Sequence, residues 1–254
     1  MPITTIEEPA DNPSGALIGF NNLLTASTTS EAEKALTPNT YERFEPASGA
    51  LTVKFQMSAD ADVDFIGIAA HALSGESVLV QTATTIGGAL TDVENITFPD
   101  NAPIMLNFDT RTIREVALVS TLSAASEIGV VSAGKALQMP RNIYGGHSPI
   151  NLSQQTEYQS VQSESGQFLG KTIIRKGLET AFSWRLLDDQ FYRDEFQPLV
   201  ESARTKPFFI KWRPDFYSDE VAYGEVNQDI KPTNSGGGIR LMSVGFTMTG
   251  HADL

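Results

Sequence analysis

The side chains able to do chemistry in this chain are few and scattered. It carries three histidines, His71, His147 and His251, and no cysteine. The absence of cysteine excludes disulfides, thiolate metal sites and a cysteine nucleophile. No two histidines stand at the spacing of a zinc helix or finger. His71 closes the run "DFIGIAAHALSG" (64–75), where an imidazole can bond loop backbone, and it reads as a structural residue. A Gly-x-Ser-x-Gly elbow is missing. "SESGQFLG" (163–170) lacks the strand–elbow–helix context of a nucleophile, and its glycines suit a turn. Asp60, Asp62 and Asp64 alternate like part of a calcium loop, without the glycine and distal glutamate that such a loop needs. They read as a solvated approach to a strand. "GGALTDVEN" (87–95) and "NSGGGIR" (234–240) lack the setting of a phosphate loop and read as hairpin loops. The expectation is no metal, no cofactor and no enzyme.

Composition narrows the partners. The formal net charge is −13, which repels nucleic acid in the absence of a basic patch. The hydrophobic share of 41% and charged share of 19% suit a packed core. No segment approaches the ~20 apolar residues of a membrane helix, and "MPITTIEEPADNPSG" (1–15) lacks the basic start of a signal peptide. A soluble protein with no membrane insertion is expected. Charge is uneven: residues 1–140 hold 17 acidic and 6 basic side chains, and residues 141–254 hold 14 and 12. With the turn-rich stretch "MPRNIYGGHSPINLSQQ" (139–155), this step predicts two units, 1–140 and 141–254.

The elements that must position these groups are strands. Apolar residues alternate in "TVKFQM" (52–57), "IMLNFD" (104–109), "AFSWRL" (181–186) and "LMSVGFTM" (241–248), the period of half-buried strands. Further strands are predicted at 65–73, 77–84, 115–121, 127–133, 168–175, 207–212 and 221–226. The run 65–70 is apolar throughout, which predicts burial on both faces. Short strands between turns point to antiparallel sandwiches or barrels. One helix is predicted near 188–204, capped by Asp188 or Asp189, with Tyr192, Phe196, Leu199 and Ala203 on one face. Pro198 has no N–H to give, so the helix must kink there or have its main part begin there. The stretch "KPFFIKWRPDFYSDEVAYGEV" (206–226) holds Phe208, Phe209, Trp212, Phe216, Tyr217 and Tyr223. It reads equally well as core and as core with an interface, because Trp, Tyr and Arg dominate protein contacts.

A resemblance adds to this. The order "YERFEP" (41–46), "ALTVKF" (50–55), "DFIGIAAHAL" (64–73), "SVLVQT" (77–82), "IMLNFD" (104–109), "REVALVS" (114–120) and "EIGVVSAGKAL" (127–137) resembles a discoidin-type, galactose-binding-like jelly roll. The second half, with "GGHSPINL" (145–152), "SESGQFLG" (163–170), the helix, "PFFIKWRP" (207–214) and "MSVGFTMTG" (242–250), resembles the tail-tube and distal-tail β-fold of tailed bacteriophages. The resemblance implies a mainly β chain: a galactose-binding-like β-sandwich over 1–140, then a tail-tube-like β domain with one flanking helix over 141–254. It implies a virion structural protein of a tail tip or baseplate, assembled in the host cytoplasm. Its partners would be itself, in a ring of six, and other tail proteins such as tube and hub. The contact would involve Phe209, Trp212, Arg213 and Tyr217. The alternative it implies is host attachment through a surface glycan, with Asn39, Tyr41 and Arg43 in one loop and Arg111 in the turn after strand 104–109.

Overall fold

The computed structural model describes residues 15–236 and 240–251. The chain is mainly β, with two antiparallel sheets, one longer helical segment at 189–203 and 3-10 helices at Ser30–Leu36 and Ile150–Leu152 among the described residues. The strands are β1 (Leu17–Gly19), β2 (Leu24–Ser27), β3 (Gly49–His71), β4 (Ser77–Ala83), β5 (Thr91–Thr97), β6 (Ile104–Leu122) and β7 (Ile128–Gly134). They continue with β8 (Leu137–Gln138), β9 (Gln154–Gln162), β10 (Phe168–Asp188), β11 (Phe208–Lys211), β12 (Val221–Val226), β13 (Thr233–Asn234) and β14 (Leu241–His251).

The six-stranded sheet runs β2-β3-β6-β4-β5, with β7 paired to β3. Several segments expected as separate strands are joined here: 52–57 and 65–71 lie on β3, and 104–109 and 115–121 on β6. The joins are irregularities in the ladder, between Gln56 and Ala61 and between Val63 and Phe65. Side chains alternate with period two, so a bulge exchanges the faces. Before the second one, Val53, Phe55, Met57 and Val63 point into the core of this sheet; after it, Ile66 and Ile68 do. Phe65 and Ala69 then face the opposite way, into a second apolar layer with Leu17, Met105, Val130, Phe209, Val221 and Tyr223. The run 65–70 is thus buried on both faces, as its composition predicts.

That second layer is the seam between the two sheets. At Gly67 the backbone carries no side chain because the Phe209 ring lies on it; a Cβ there would stand 2.8 Å from the ring. The eight-stranded sheet runs β8-β1-β11-β12-β14-β10-β9, with β13 on β14. It crosses the expected boundary at residue 140, because β1 and β8 come from the first half of the chain and β1 pairs with β11. Residues 24–134, holding the six-stranded sheet, are therefore an excursion between two adjacent strands of the other sheet. The charge step at residue 140 records surface composition, and surface charge does not direct strand pairing.

The longer helical segment packs on this second sheet. Asp188 caps it, its carboxylate accepting from the N–H groups of Gln190 (2.8 Å) and Phe191 (3.3 Å). An α-turn at Asp189–Phe191 leads into a π-turn at Tyr192–Phe196 and then an α-helix at Gln197–Ala203. Gln197 N–H donates to the Tyr192 carbonyl, five residues back, immediately before Pro198. The widened turn is how the helix passes a proline that has no N–H for the Asp194 carbonyl. Tyr192, Phe196, Leu199 and Ala203 all enter the core around Trp184 and Phe246.

Candidate functional site

His71 is buried. Its Nε2 bonds the Ala102 carbonyl at 2.9 Å, and its Nδ1 accepts from Leu73 N–H at 3.4 Å. The ring stands edge-on to Phe98 and ties the end of β3 to the loop after β5. The three aspartates are spread along β3 and do not converge: Asp60 pairs with Arg114 at 3.1 Å, Asp62 accepts from Thr112 at 2.7 Å, and Asp64 from Ala136 N–H at 2.7 Å. Among the described residues no group of three or more His, Asp or Glu is placed to hold a metal. "SESGQFLG" forms the turn between β9 and β10, with Gly166 at φ +80°. Of "GGALTDVEN", only the glycines and the next two residues form a loop; Thr91 onward is β5, paired with β4. The hairpin reading of "NSGGGIR" falls partly on residues 237–239, and the reading of the N-terminal stretch as unlike a signal peptide falls on 1–14; both lie outside the described residues.

A charged group that the sequence does not announce lies on β6. Glu115 is only 1% exposed. Burial pushes its carboxyl up, but Lys54 Nζ (2.8 Å), Gly87 N–H (3.3 Å) and Gln56 Nε2 (3.3 Å) outweigh this and hold it below the ordinary range. A second is Lys211 on β11, which reaches across the seam to Asn107 Oδ1 on β6 at 2.7 Å. Burial lowers its ammonium pKa, and the charges of Asp219 and Glu94 oppose that shift.

The four residues expected around a ligand are not brought together. Asn39 Oδ1 accepts from Tyr41 N–H at 2.8 Å, which shapes the loop, and Tyr41 stands 90% exposed. Arg43 bonds the Thr40 carbonyl and pairs with Glu127. Arg111 lies within β6 opposite Val63, not in a turn, because β6 runs unbroken through the polar stretch that suggested one. It sits over the Phe108 ring at 5.0 Å. The Arg43 loop meets β7 at Ile128, which pairs with His71. Eight residues of strand separate that level from Val63, roughly 26 Å at about 3.3 Å per residue.

The four residues expected at an assembly contact divide. Phe209 and Trp212 are buried within the chain. Phe209 fills the seam, its ring centre 4.6 Å from that of Tyr223. Trp212 lies in the core of the eight-stranded sheet, donates Nε1–H to Glu220, and stacks on Tyr217 at 5.4 Å. The aromatic density of 206–226 is largely absorbed by two apolar layers instead of the one a simple sheet would offer. Arg213, over Phe216 at 5.1 Å, and Tyr217 remain at the surface.

The most exposed apolar surface lies elsewhere. β9 and the first half of β10 form a two-stranded ribbon. Among the described residues β14 joins β10 from Gly177 onward, and from Phe168 to Lys176 β10 is partnered by β9. Among the described residues β9 is the edge of the sheet. Phe168 (67%), Leu169, Ile173, Ile174 (58%), Tyr158 and Val161 are all exposed along it. Lys171 Nζ sits over the Tyr158 ring at 3.4 Å, and Arg175 pairs with Glu157 at 3.5 Å. Residues 154–176 carry three basic and two acidic side chains, a positive arm on a negative molecule.

No family model and no curated protein matches the chain. Solved structures that match part of the chain include a chitosan-binding module of the chitosanase/glucanase from Paenibacillus sp. IK-5, at 14% identity and a TM-score of 0.40, over 46% of this chain and 98% of that module. The CBM32 of AlyQ, in complex with 4,5-unsaturated mannuronic acid, matches at 17% identity and a TM-score of 0.38, over 43% of this chain and 94% of that one. A pectin-binding carbohydrate-binding module matches at 12% identity and a TM-score of 0.39, over 48% and 98%.

Proposed function

We propose that this chain is a non-catalytic assembly protein that joins copies of itself through the β9–β10 ribbon. The ribbon carries the reading. A two-stranded hairpin is marginal in water on its own, and this one presents a free strand edge and apolar side chains on both faces. An edge of that kind is a template for strand addition. A second copy is the occupant favoured by charge: Lys171, Arg175 and Lys176 stand on the ribbon, while the rest of the chain is strongly acidic. A basic ribbon that adds to the acidic body of the next copy makes a head-to-tail contact, and such contacts close into a ring when the rotation allows. A place in a phage tail tip rests on the sequence resemblance to tail-tube proteins alone.

The test is sedimentation velocity on the full chain and on a variant with residues 158–174 replaced by Asn-Gly, which keeps the Glu157–Arg175 pair beside a tight turn. The wild type is expected to associate, and the variant to be a monomer with an unchanged melting temperature. A monomeric wild type at high concentration, or a variant that associates equally well, overturns the proposal.

A second reading is glycan capture, and Tyr41 favours it. An almost fully exposed ring on a loop fixed by the Asn39 turn and the Arg43–Glu127 pair is a platform on which a sugar can stack. The names of the similar modules concern those proteins; for this chain the reading stands on Tyr41. Binding on a glycan array that Tyr41→Ala abolishes would support it, and binding untouched by that change would remove it.

A further inference from the structure

A cleft of about 760 Å³ opens beside β10, lined among others by Arg141, Asn142, Tyr144, Arg185, Ser235 and Ser243. It is built by a bulge. The register of β10 against β14 passes from Trp184↔Val244 to Leu187↔Met242, so Arg185 and Leu186 together oppose Ser243. Such two-against-one steps re-aim side chains and are common beside functional sites. Leu186 is held at φ +57°, a conformation that a leucine rarely adopts. Nothing in the core needs this: Leu186 is half exposed, and Trp184 and Leu187 on either side fill the interior. What the bulge achieves is the display of Arg185 over the loop 140–146. That loop is tied down by Tyr144 N–H donating to the Ser183 carbonyl at 2.7 Å. The Arg185 guanidinium lies over the Tyr144 ring at 3.8 Å, which fixes it in place while leaving its N–H groups free to donate.

Around the cleft, Arg141 and Arg185 have no ion-pair partner and Asn142 Oδ1 no donor among the described residues. The arginines stand unpaired although the chain has 31 acidic residues and only 18 basic ones. Ser235 and Ser243 hydroxyls stand 2.8 Å apart, able to give and accept.

We infer that this cleft binds a small hydroxylated carboxylate of the sugar-acid kind. The two guanidinium groups take the carboxylate; the serine pair, able to give and to accept, takes a hydroxyl. The serine pair is what separates this ligand from a bare oxyanion, which has no hydroxyl to offer it. The site lies on the eight-stranded sheet and is independent of both the ribbon and the Tyr41 loop.

Titration calorimetry on the full chain tests this with D-glucuronate, D-glucose and inorganic phosphate as probes. Glucuronate is expected to bind at least about tenfold more tightly than either of the others. Arg141→Gln and Arg185→Gln should each weaken it by about tenfold or more, with the melting temperature unchanged because both side chains are exposed. Ser243→Ala, which alters no charge, should weaken it by a smaller factor and leave its salt dependence as in the wild type. No heat with glucuronate, equal affinity for glucose, or glucuronate binding indifferent to both arginine changes overturns the inference. Phosphate binding as tightly as glucuronate overturns the sugar-acid assignment.

Discussion

Two hairpins of one sheet invite comparison. The β11–β12 pair and the loop that joins it hold the aromatic residues of 206–226, and their sequence suggests an interface. The β9–β10 pair is built of Gln, Ser, Thr and scattered aliphatics, and its sequence suggests little. The structure reverses their standing. β11 and β12 sit in the middle of the sheet between β1 and β14, with a core on one face and the seam on the other. The outer part of β9–β10 leaves the sheet and, among the described residues, is exposed on both faces. Apolar content therefore does not decide which hairpin is available to a partner. The number of layers that pack on it does. A hairpin with two covering layers buries four aromatic rings, and one with none exposes two isoleucines.

The largest way to sharpen this contrast is Phe209→Ala. The ring is fully buried between two sheets, so its loss should cost about 3–5 kcal/mol of stability. Association measured well below the lowered melting temperature should be unchanged. Loss of association at a temperature where circular dichroism shows a folded chain would return Phe209 to the interface. Next is the ribbon itself: Ile173→Thr with Ile174→Thr should weaken self-association by about 2 kcal/mol or more, with little change in melting, since both side chains are exposed. A large drop in melting temperature, measured on dilute monomer, would mean that the ribbon is packed on its own chain. Gly67→Ala places a methyl against the Phe209 ring and should destabilise by about 1–3 kcal/mol. It should be silent in an association assay. A neutral effect in a chemical denaturation curve would show the seam to be loosely packed.

The smallest effect concerns pH at the same seam. The ammonium of Lys211 has a folded pKa below its unfolded value of about 10.4. Between those two values the unfolded chain holds the proton that the folded chain has released, so stability rises with pH across that window. Tyr223, whose phenol is pushed up by burial, acts in the opposite sense above about pH 10, so the measurement belongs below that. Stability curves of wild type against Lys211→Met should show the alkaline rise in the first and a flatter profile in the second. Parallel profiles would mean that Lys211 is as well solvated in the fold as out of it.

Much of the strand content was legible because a half-covered strand must alternate. "TVKFQM", "AFSWRL" and "LMSVGFTM" all lie in strands, with the apolar set inside as their pattern indicates except at Leu186, which the bulge turns outward in favour of Leu187. The cap at Asp188 and the disturbance before Pro198 were legible for a similar reason: each follows from one local hydrogen bond made or missing. β5 and β9 were not, because they lie at sheet edges and carry polar residues on both faces, which leaves no period to read. The four-residue ligand set failed through register. One bulge in β3 and the unbroken length of β6 put Arg111 far from Tyr41, and neither is visible in composition. The cleft at Arg185 could have been sought in the pair "RL" (185–186) within an alternating run, where the pattern slips by one residue.

The pairing of β1 also sets an order of events during synthesis. Leu17 lies between Gln138 on one side and Lys211 on the other. While the nascent chain ends near residue 140, everything needed for the six-stranded sheet has been made, and β1 can meet β8. The other side of β1, and with it the apolar layer around Phe209, must wait until residue 211 has emerged, on the order of several seconds later at ordinary translation speeds. Through that interval Phe65, Ala69 and Met105 face water on a finished sheet. Refolding from denaturant removes the delay but keeps the long loop closure, so the last step in either case is the docking of the second sheet onto the first.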